Sequence, residues 1–290
     1  MRKTILCILC KSLAILGLLI PVEGNSAKND AYFELKVYHY SNTQQENVLD
    51  NFIQNELIPY LHKSGIKNIG VFKAIANDTA IDKKMYIFIP FKSLKQWGKY
   101  LINAKTNDPA INSNSEYANA ANDKPFFSRV ETIFLQAFKF MPALSASKLL
   151  SPKNERVYEL RSYESGSYKI YRNKVHMFNE GGEIDLFDRL GFNAVFYGDV
   201  IYGAKMPNLM YMTSFENKKA RDEHWAAFGK DPAWKTLVWI QGGTFQMGTN
   251  DPAFTDAQPM HKVTVNSQPL KGHFWIKVKI FFGSSKFWMI

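Results

Sequence analysis

The chain has 290 residues, 46% hydrophobic and 21% charged, which excludes wholesale disorder and leaves room for about two domains. Its two cysteines, Cys7 and Cys10, both lie in the first apolar run. That placement excludes a disulfide framework, a cysteine-ligated zinc site and a cysteine nucleophile in the body of the chain. The formal charge of +10 raises a nucleic-acid reading, weighed below.

Arg2 and Lys3 open the chain, an apolar stretch runs from Thr4 to Val22 with Lys11 inside it, and Pro21, Val22 and Gly24 close it. This is the layout of a secretory signal peptide over residues 1–24, with cleavage expected after Gly24. The rival, an uncleaved anchor helix, needs about 20 continuous apolar residues, and Lys11 interrupts the run. Cleavage removes Arg2, Lys3, Lys11 and Glu23 and leaves a charge of +8. The expectation is an exported protein, periplasmic or secreted, with no stable membrane span after signal cleavage.

The body of the chain repeats itself. YFELKVY at Tyr32 matches VYELRSY at Val157, GVF at Gly70 matches AVF at Ala194, KMYIFIPF matches NLMYMTSF, and NDPA at Asn107 matches KDPA at Lys230. The four matches keep their order and are spaced 123 to 125 residues apart, which points to a duplicated domain rather than a solenoid repeat. In the first copy Phe33–His39 alternates as a strand, and Asn47–Lys63 carries a helical stripe bent at Pro59 and stopped at Gly65. Strands follow at Asn68–Ile75 and Lys84–Phe91, then a helix at Ser93–Ala104 and a strand at Val130–Phe140. The second copy has a strand at Arg156–Tyr163 and helical segments from Tyr168 to Leu190 broken at Gly181–Gly182. Further strands lie at Phe192–Ile201 and Asn208–Phe215, with a helix at Glu216–Phe228. Ser165–Ser167 reads as a helix cap, and the charged run Asn217–Glu223 as a solvated helix face.

The order βαββαβ in each copy predicts an α+β fold of two tandem ferredoxin-like domains. The segments are 31–141, a linker at 142–154, and 155–237, where the last strand is missing or replaced. Gly243–Gly248 or Lys262–Val265 are the candidates to replace it; otherwise an edge stays open.

The pieces VYELRSY at Val157, RLGFNAVFYGDVI at Arg189, MPNLMYMTSFENKKARDEHW at Met206 and KDPAWKTL at Lys230 resemble the NIPSNAP family. YFELKVY, LIPYLHKSGIKNIGVF and IPFKSLKQW in the first half carry a weaker version. The resemblance implies ferredoxin-like domains pairing as a dimeric α+β barrel, and it implies no established catalytic residues. Residues 238–265, with GGTFQMG at Gly242, DAQP at Asp256 and HKVTV at His261, resemble the opening of the formylglycine-generating, sulfatase-modifying enzyme domain. That family's chemistry rests on a copper-binding cysteine pair, and no cysteine follows Cys10, so its activity is not expected here. Residues 266–290 fit neither family and are expected to be an irregular extension, the product of a fusion followed by a frame change or truncation and never selected for packing.

In the opening strands Glu34, Lys36 and Tyr38 share one face, and Glu159, Arg161 and Tyr163 share the matching face. The other face, Phe33, Leu35 and Val37 with Tyr158 and Leu160, is apolar enough to pack on helices. The polar faces would then line the barrel interior as two acid–base–phenol sets around one cavity, a place for a small ligand. The alternative is that each set merely satisfies itself. The six histidines show no metal-ligand spacing, and His224 beside Trp225 reads as a packed residue. No glycine-rich phosphate motif or GxSxG occurs, so no cofactor is expected.

Two functions follow. One is a non-catalytic small-ligand- or partner-binding barrel, with a homodimer left open. The other is a cofactor-independent enzyme, monooxygenase- or isomerase-like, acting in the inter-domain cavity. Export, evenly spread lysines and the absence of a recognition motif argue against nucleic acid. The charge points instead to anionic surfaces or polysaccharides.

Overall fold

A strand whose two faces are both apolar or self-satisfying can be covered on both sides, and the first strand shows this at once. In β1 (Tyr32–Tyr40), every residue from Phe33 to Tyr40 except Lys36 is buried. The computed structural model describes residues 30–236, with side chains as far as Trp234, and the backbone of five further strands up to Phe282. The signal segment 1–24 lies outside the described residues.

The first half runs β1, α1 (Thr43–Phe52), α2 (Ile58–Lys63), β2 (Gly70–Lys73), β3 (Lys83–Phe91), α3 (Leu94–Asn107), α4 (Pro109–Asn112) and β4 (Arg129–Ala137). The second runs β5 (Val157–Glu164), α5 (Tyr168–Asn179), α6 (Glu183–Arg189), β6 (Asn193–Tyr202), β7 (Asn208–Phe215), α7 (Lys218–Lys230) and α8 (Pro232–Thr236). Local chemistry sets the helix ends. Asn42, Ser93, Ser167 and Asn217 each accept a hydrogen bond from the backbone N–H three residues on, satisfying donors that the first turn leaves without a partner. Pro59 lies within one unbroken helical run, Thr43–Lys63, two residues after a π-helical segment, Ile53–Leu57, where the hydrogen-bond ladder shifts ahead of the donor that proline lacks. The break between α5 and α6 is a glycine requirement: Gly182 has φ of 81°, and a Cβ on Gly181 would stand 2.7 Å from the Met177 carbonyl oxygen.

Eight strands form one antiparallel sheet in the order β12-β5-β7-β6-β4-β1-β3-β2, where β12 is Ile276–Phe282. The half β4-β1-β3-β2 and the half β12-β5-β7-β6 have the same ferredoxin-like order, and β4–β6 pairing joins them. The fourth-strand position of the second half is therefore filled, but by neither expected candidate. β9 (Gly243–Met247) and β10 (His261–Val265) pair with each other, and β8 (Trp239–Ile240) pairs with β11 (Gln268–Pro269). Ile276–Phe282, from the segment expected to be an irregular tail, runs antiparallel to β5 with Phe282 opposite Tyr158 and Ile276 opposite Glu164. Its alternating Ile-Lys-Val-Lys-Ile run suits a strand, and the open edge of β5 supplies the matching backbone groups.

The sheet curls until its ends approach. Phe72 on β2, the last strand at one end, lies with its ring 5.4 Å from that of Tyr158 on β5, next to the other end. The space enclosed is lined by apolar side chains. Phe33, Leu35, Val37, Phe88, Leu135, Leu160, Phe196 and Met212 form one buried cluster drawn from both halves. Phe33, Phe88 and Phe196 interlock with ring centroids 4.8 to 5.2 Å apart.

This reverses the expected assignment of faces. Phe33, Leu35, Val37, Tyr158 and Leu160 look into the barrel, and Glu34, Lys36, Tyr38, Glu159, Arg161 and Tyr163 look outward under the helices. Two sheets closing on each other leave no water to solvate a carboxylate. The helices can offer indole and guanidinium donors. A charged row is affordable only on the helix side.

Phe196→Ala removes the ring shared by both halves and is expected to destabilise the protein by about 3–5 kcal/mol, read from urea unfolding. Ending the chain before Ile276 unpairs the β5 edge, and sedimentation velocity should then show more self-association than for the intact chain.

Candidate functional site

The six residues singled out by sequence form two separate clusters. Glu159 has no exposed surface. Arg161 donates through Nε to its Oε1 at 2.8 Å, Arg221 of α7 through Nε to Oε2 at 2.8 Å and through Nη2 to Oε1 at 2.9 Å, and Trp225 Nε1 to Oε2 at 2.8 Å. The Arg161 guanidinium lies 3.5 Å from the Trp225 ring centre, a cation–π contact in a dry setting. Tyr163 and Tyr211 hydroxyls meet at 3.3 Å, and a second buried pair, Lys174–Glu183 at 2.7 Å, stands nearby with the Lys174 Nζ 5.3 Å above the Tyr163 ring. Burial alone would raise the Glu159 pKa, but the arginines and Trp225 outweigh it and hold the carboxyl below its ordinary value. Burial likewise pushes the Tyr211 hydroxyl far up. Each of these charged groups is engaged with a neighbour, while the buried hydroxyls of Thr213, opposite Glu159, and of Tyr197, packed on Tyr211, make no hydrogen bond among the described residues.

The first-half set repeats the design with fewer charges. Lys36 Nζ lies 2.9 Å from Glu34 Oε1, Trp97 Nε1 of α3 donates to Glu34 Oε2 at 3.0 Å, and Tyr38 meets Tyr117 at 3.5 Å. Trp97 and Arg221 each stand six residues beyond the corresponding strand phenylalanine, Phe91 and Phe215, and each bonds the strand carboxylate. The two sets thus face separate helix layers and share no cavity.

The charged run on α7 is partly as expected. Lys218–Asp222 at 2.7 Å and Lys219–Glu223 at 3.8 Å are i,i+4 surface pairs, while Arg221 turns inward. His224 is packed as anticipated, its Nδ1 2.7 Å from the Leu190 carbonyl. Sequence spacing missed His39, which is buried at the end of the inner face with Nδ1 2.9 Å from Asp82 and Nε2 3.1 Å from Glu131. These partners lie 43 and 92 residues away, beyond the reach of any local motif. They occupy opposite edges of the ring and cannot converge on one ion. Among the described residues no group of three His, Cys, Asp or Glu side chains could hold a metal.

Two open clefts, by contrast, are lined by lysines that pair with no acid among the described residues. One, of about 550 Å³, lies between the α2–β2 turn, the end of β3 and the segment after β4, and includes Gly65, Lys67, Asn68, Lys92, Gln96 and Leu144. The other, of about 540 Å³, lies between α2 and α3 and includes Tyr60, Lys63, Gln96, Lys99, Asn103 and Asn107. Gln96 is the wall between them, accepting from the Lys92 N–H at 2.7 Å and donating to the Gly65 carbonyl at 3.2 Å. Neither lining contains a carboxylate. From Lys83 to Asn107 the chain has no Asp or Glu at all. Lys63, Lys67, Lys92 and Lys99 are exposed, and none pairs with an acid among the described residues. The lysines are not spread evenly, as the linear sequence suggests; folding gathers these four.

Glu159→Gln leaves two guanidinium groups without their buried counter-charge and should cost about 3–5 kcal/mol at neutral pH. The folded carboxyl titrates below its ordinary 4.5. Its contribution is therefore complete above that pH and is lost as pH falls through the folded value. Urea midpoints of the wild type and the variant should converge in acid.

The NIPSNAP family model matches residues 158–241. No curated protein matches the chain. Among solved structures, a putative monooxygenase from Lactobacillus acidophilus is similar at 13% identity, over 72% of this chain and 86% of that one, with a TM-score of 0.46. A putative monooxygenase from Fusobacterium nucleatum is similar at 8% identity, over 85% and 97%, with a TM-score of 0.45. An anthrone oxidase-like protein is similar at 8% identity, over 73% and 84%, with a TM-score of 0.42.

Proposed function

We propose that the protein is a non-catalytic binding protein that takes an anionic group in the two clefts around Gln96. The observation that carries this is the gathering of Lys63, Lys67, Lys92 and Lys99 on carboxylate-free linings. Each cleft is lined by two lysines and by no carboxylate, so its potential is positive and favours a bound anion. The clefts are within the size range of ordinary ligand sites, and asparagine and glutamine amides beside the lysines supply directional donors. The enzyme reading placed its chemistry at Glu34, Tyr38, Glu159 and Tyr163 in a shared cavity. Those groups are buried in two separate clusters, which favours the binding reading. Export by the 1–24 segment remains part of the proposal, and the 238–265 segment is assigned no formylglycine-generating chemistry, since it carries no cysteine.

The test is calorimetric titration with pyrophosphate and with citrate at low ionic strength. Binding is expected, weakening as salt approaches about 0.2 M, where screening shortens to under 10 Å. The Lys67→Ala/Lys92→Ala and Lys63→Ala/Lys99→Ala variants should each lose about tenfold in affinity, roughly 1.4 kcal/mol. Heat that these substitutions leave unchanged, or no binding at low salt, would count against the clefts.

A further inference from the structure

The helix beside these clefts is unlike its counterpart in the other half. α3 buries one residue, Tyr100, as α7 buries one, Phe228, and the two differ on their exposed sides. The outward side of α3 exposes Leu94 at 48%, Leu101 at 39% and Ile102 at 71%. Lys95, Lys99 and Lys105 are exposed among them, and none meets an acid among the described residues. At 100° per residue, Leu94, Leu101, Ile102 and Lys105 fall within one arc, with Lys95 and Lys99 along its border. Ile111, just beyond on α4, is 68% exposed.

α7 occupies the equivalent place, following a strand phenylalanine and an N-capping polar residue at the same spacing. Two of its three surface lysines, Lys218 and Lys219, are paired i,i+4 with Asp222 and Glu223, and none of the exposed large apolar residues lies on it. Solvent alone therefore does not require an α3-type surface at this position of the fold.

We infer that α3 docks on an anionic lipid surface, with Leu94, Leu101 and Ile102 entering the interface and the surrounding lysines meeting headgroups. This rests on the anion-binding reading of the clefts and assigns the anion to a lipid headgroup. Exposed Leu and Ile flanked by lysines are what an interfacial helix needs: apolar side chains to bury and positive charge to meet an anionic bilayer. A second copy of the chain fits poorly, because a two-fold contact through this face would oppose Lys95, Lys99 and Lys105 to themselves. Among the described residues no helix is long and apolar enough to cross a membrane, so the contact is peripheral.

The test uses the exported chain, residues 25–290, with vesicles of phosphatidylcholine alone or mixed with phosphatidylglycerol. Co-sedimentation is expected with the anionic vesicles only. A tryptophan placed by Ile102→Trp should be quenched by brominated acyl chains. The exposed-site variant Leu101→Ser/Ile102→Ser should keep its thermal midpoint and its pyrophosphate affinity while losing vesicle affinity by about tenfold. Vesicle binding that this variant retains would overturn insertion of α3. Pyrophosphate binding without vesicle binding would overturn the lipid assignment and leave the anion site standing, and binding of polyglutamate in place of vesicles would assign the face to an acidic protein partner instead. Failure with every probe would remove both readings.

Discussion

The closure of two sheet halves over a dry interior is the constraint from which most of the structure follows. Phe33, Phe88 and Phe196 come from three strands and both halves, and their rings interlock within 5.2 Å. Such packing is apolar and offers a carboxylate no donor. Once that face is apolar, alternation along each strand dictates that every second residue points to the helices. The polar members of β1 and β5 had no other side to occupy.

The helix side then had to satisfy them, and the two halves solved the problem with different chemistry. In the first, one indole N–H from Trp97 and the neighbouring Lys36 complete Glu34. In the second, a bidentate arginine, a second arginine and an indole surround Glu159. A carboxylate so enclosed costs a large desolvation energy and returns it only while every partner stays in place. α7 supplies Arg221 and Trp225 to its carboxylate, whereas α3 supplies Trp97 to Glu34.

Much of this was legible in the sequence. The βαββαβ order, the duplication, the glycine break at 181–182 and the cap at Ser165–Ser167 all rest on local patterns, and local patterns survive in one dimension. The direction of the strand faces was not legible, because YFELKVY has an apolar and a polar side but nothing in it says which one meets another sheet. The binding clefts were not legible for a related reason. Lys63, Lys67, Lys92 and Lys99 are ordinary surface lysines until the α2–β2 turn is brought against the start of α3. His39, Asp82 and Glu131 come together only through the β1–β3 and β1–β4 registers. The strand Ile276–Phe282 escaped attention because sequence order placed it after an unrelated-looking segment. In the sheet, what matters is an unpaired edge and a chain able to reach it.

Duplication explains why one half can carry structure and the other a surface. The same helix position holds Lys218, Lys219, Asp222 and Glu223 in one copy and Leu94, Lys95, Leu101 and Ile102 in the other. Pairing the charges makes a helix content in water, since i,i+4 pairs of opposite sign reinforce it and leave little for a partner. Removing the acids and exposing leucine and isoleucine gives up that local stabilisation and adds apolar surface to solvent. Both changes weaken the isolated fold, and they lie on the same helix as the wall of two lysine-lined clefts. A duplicated core tolerates the loss because the barrel interior, not α3, holds the halves together. The surface that departs from the solvated pattern is therefore the one to read for function.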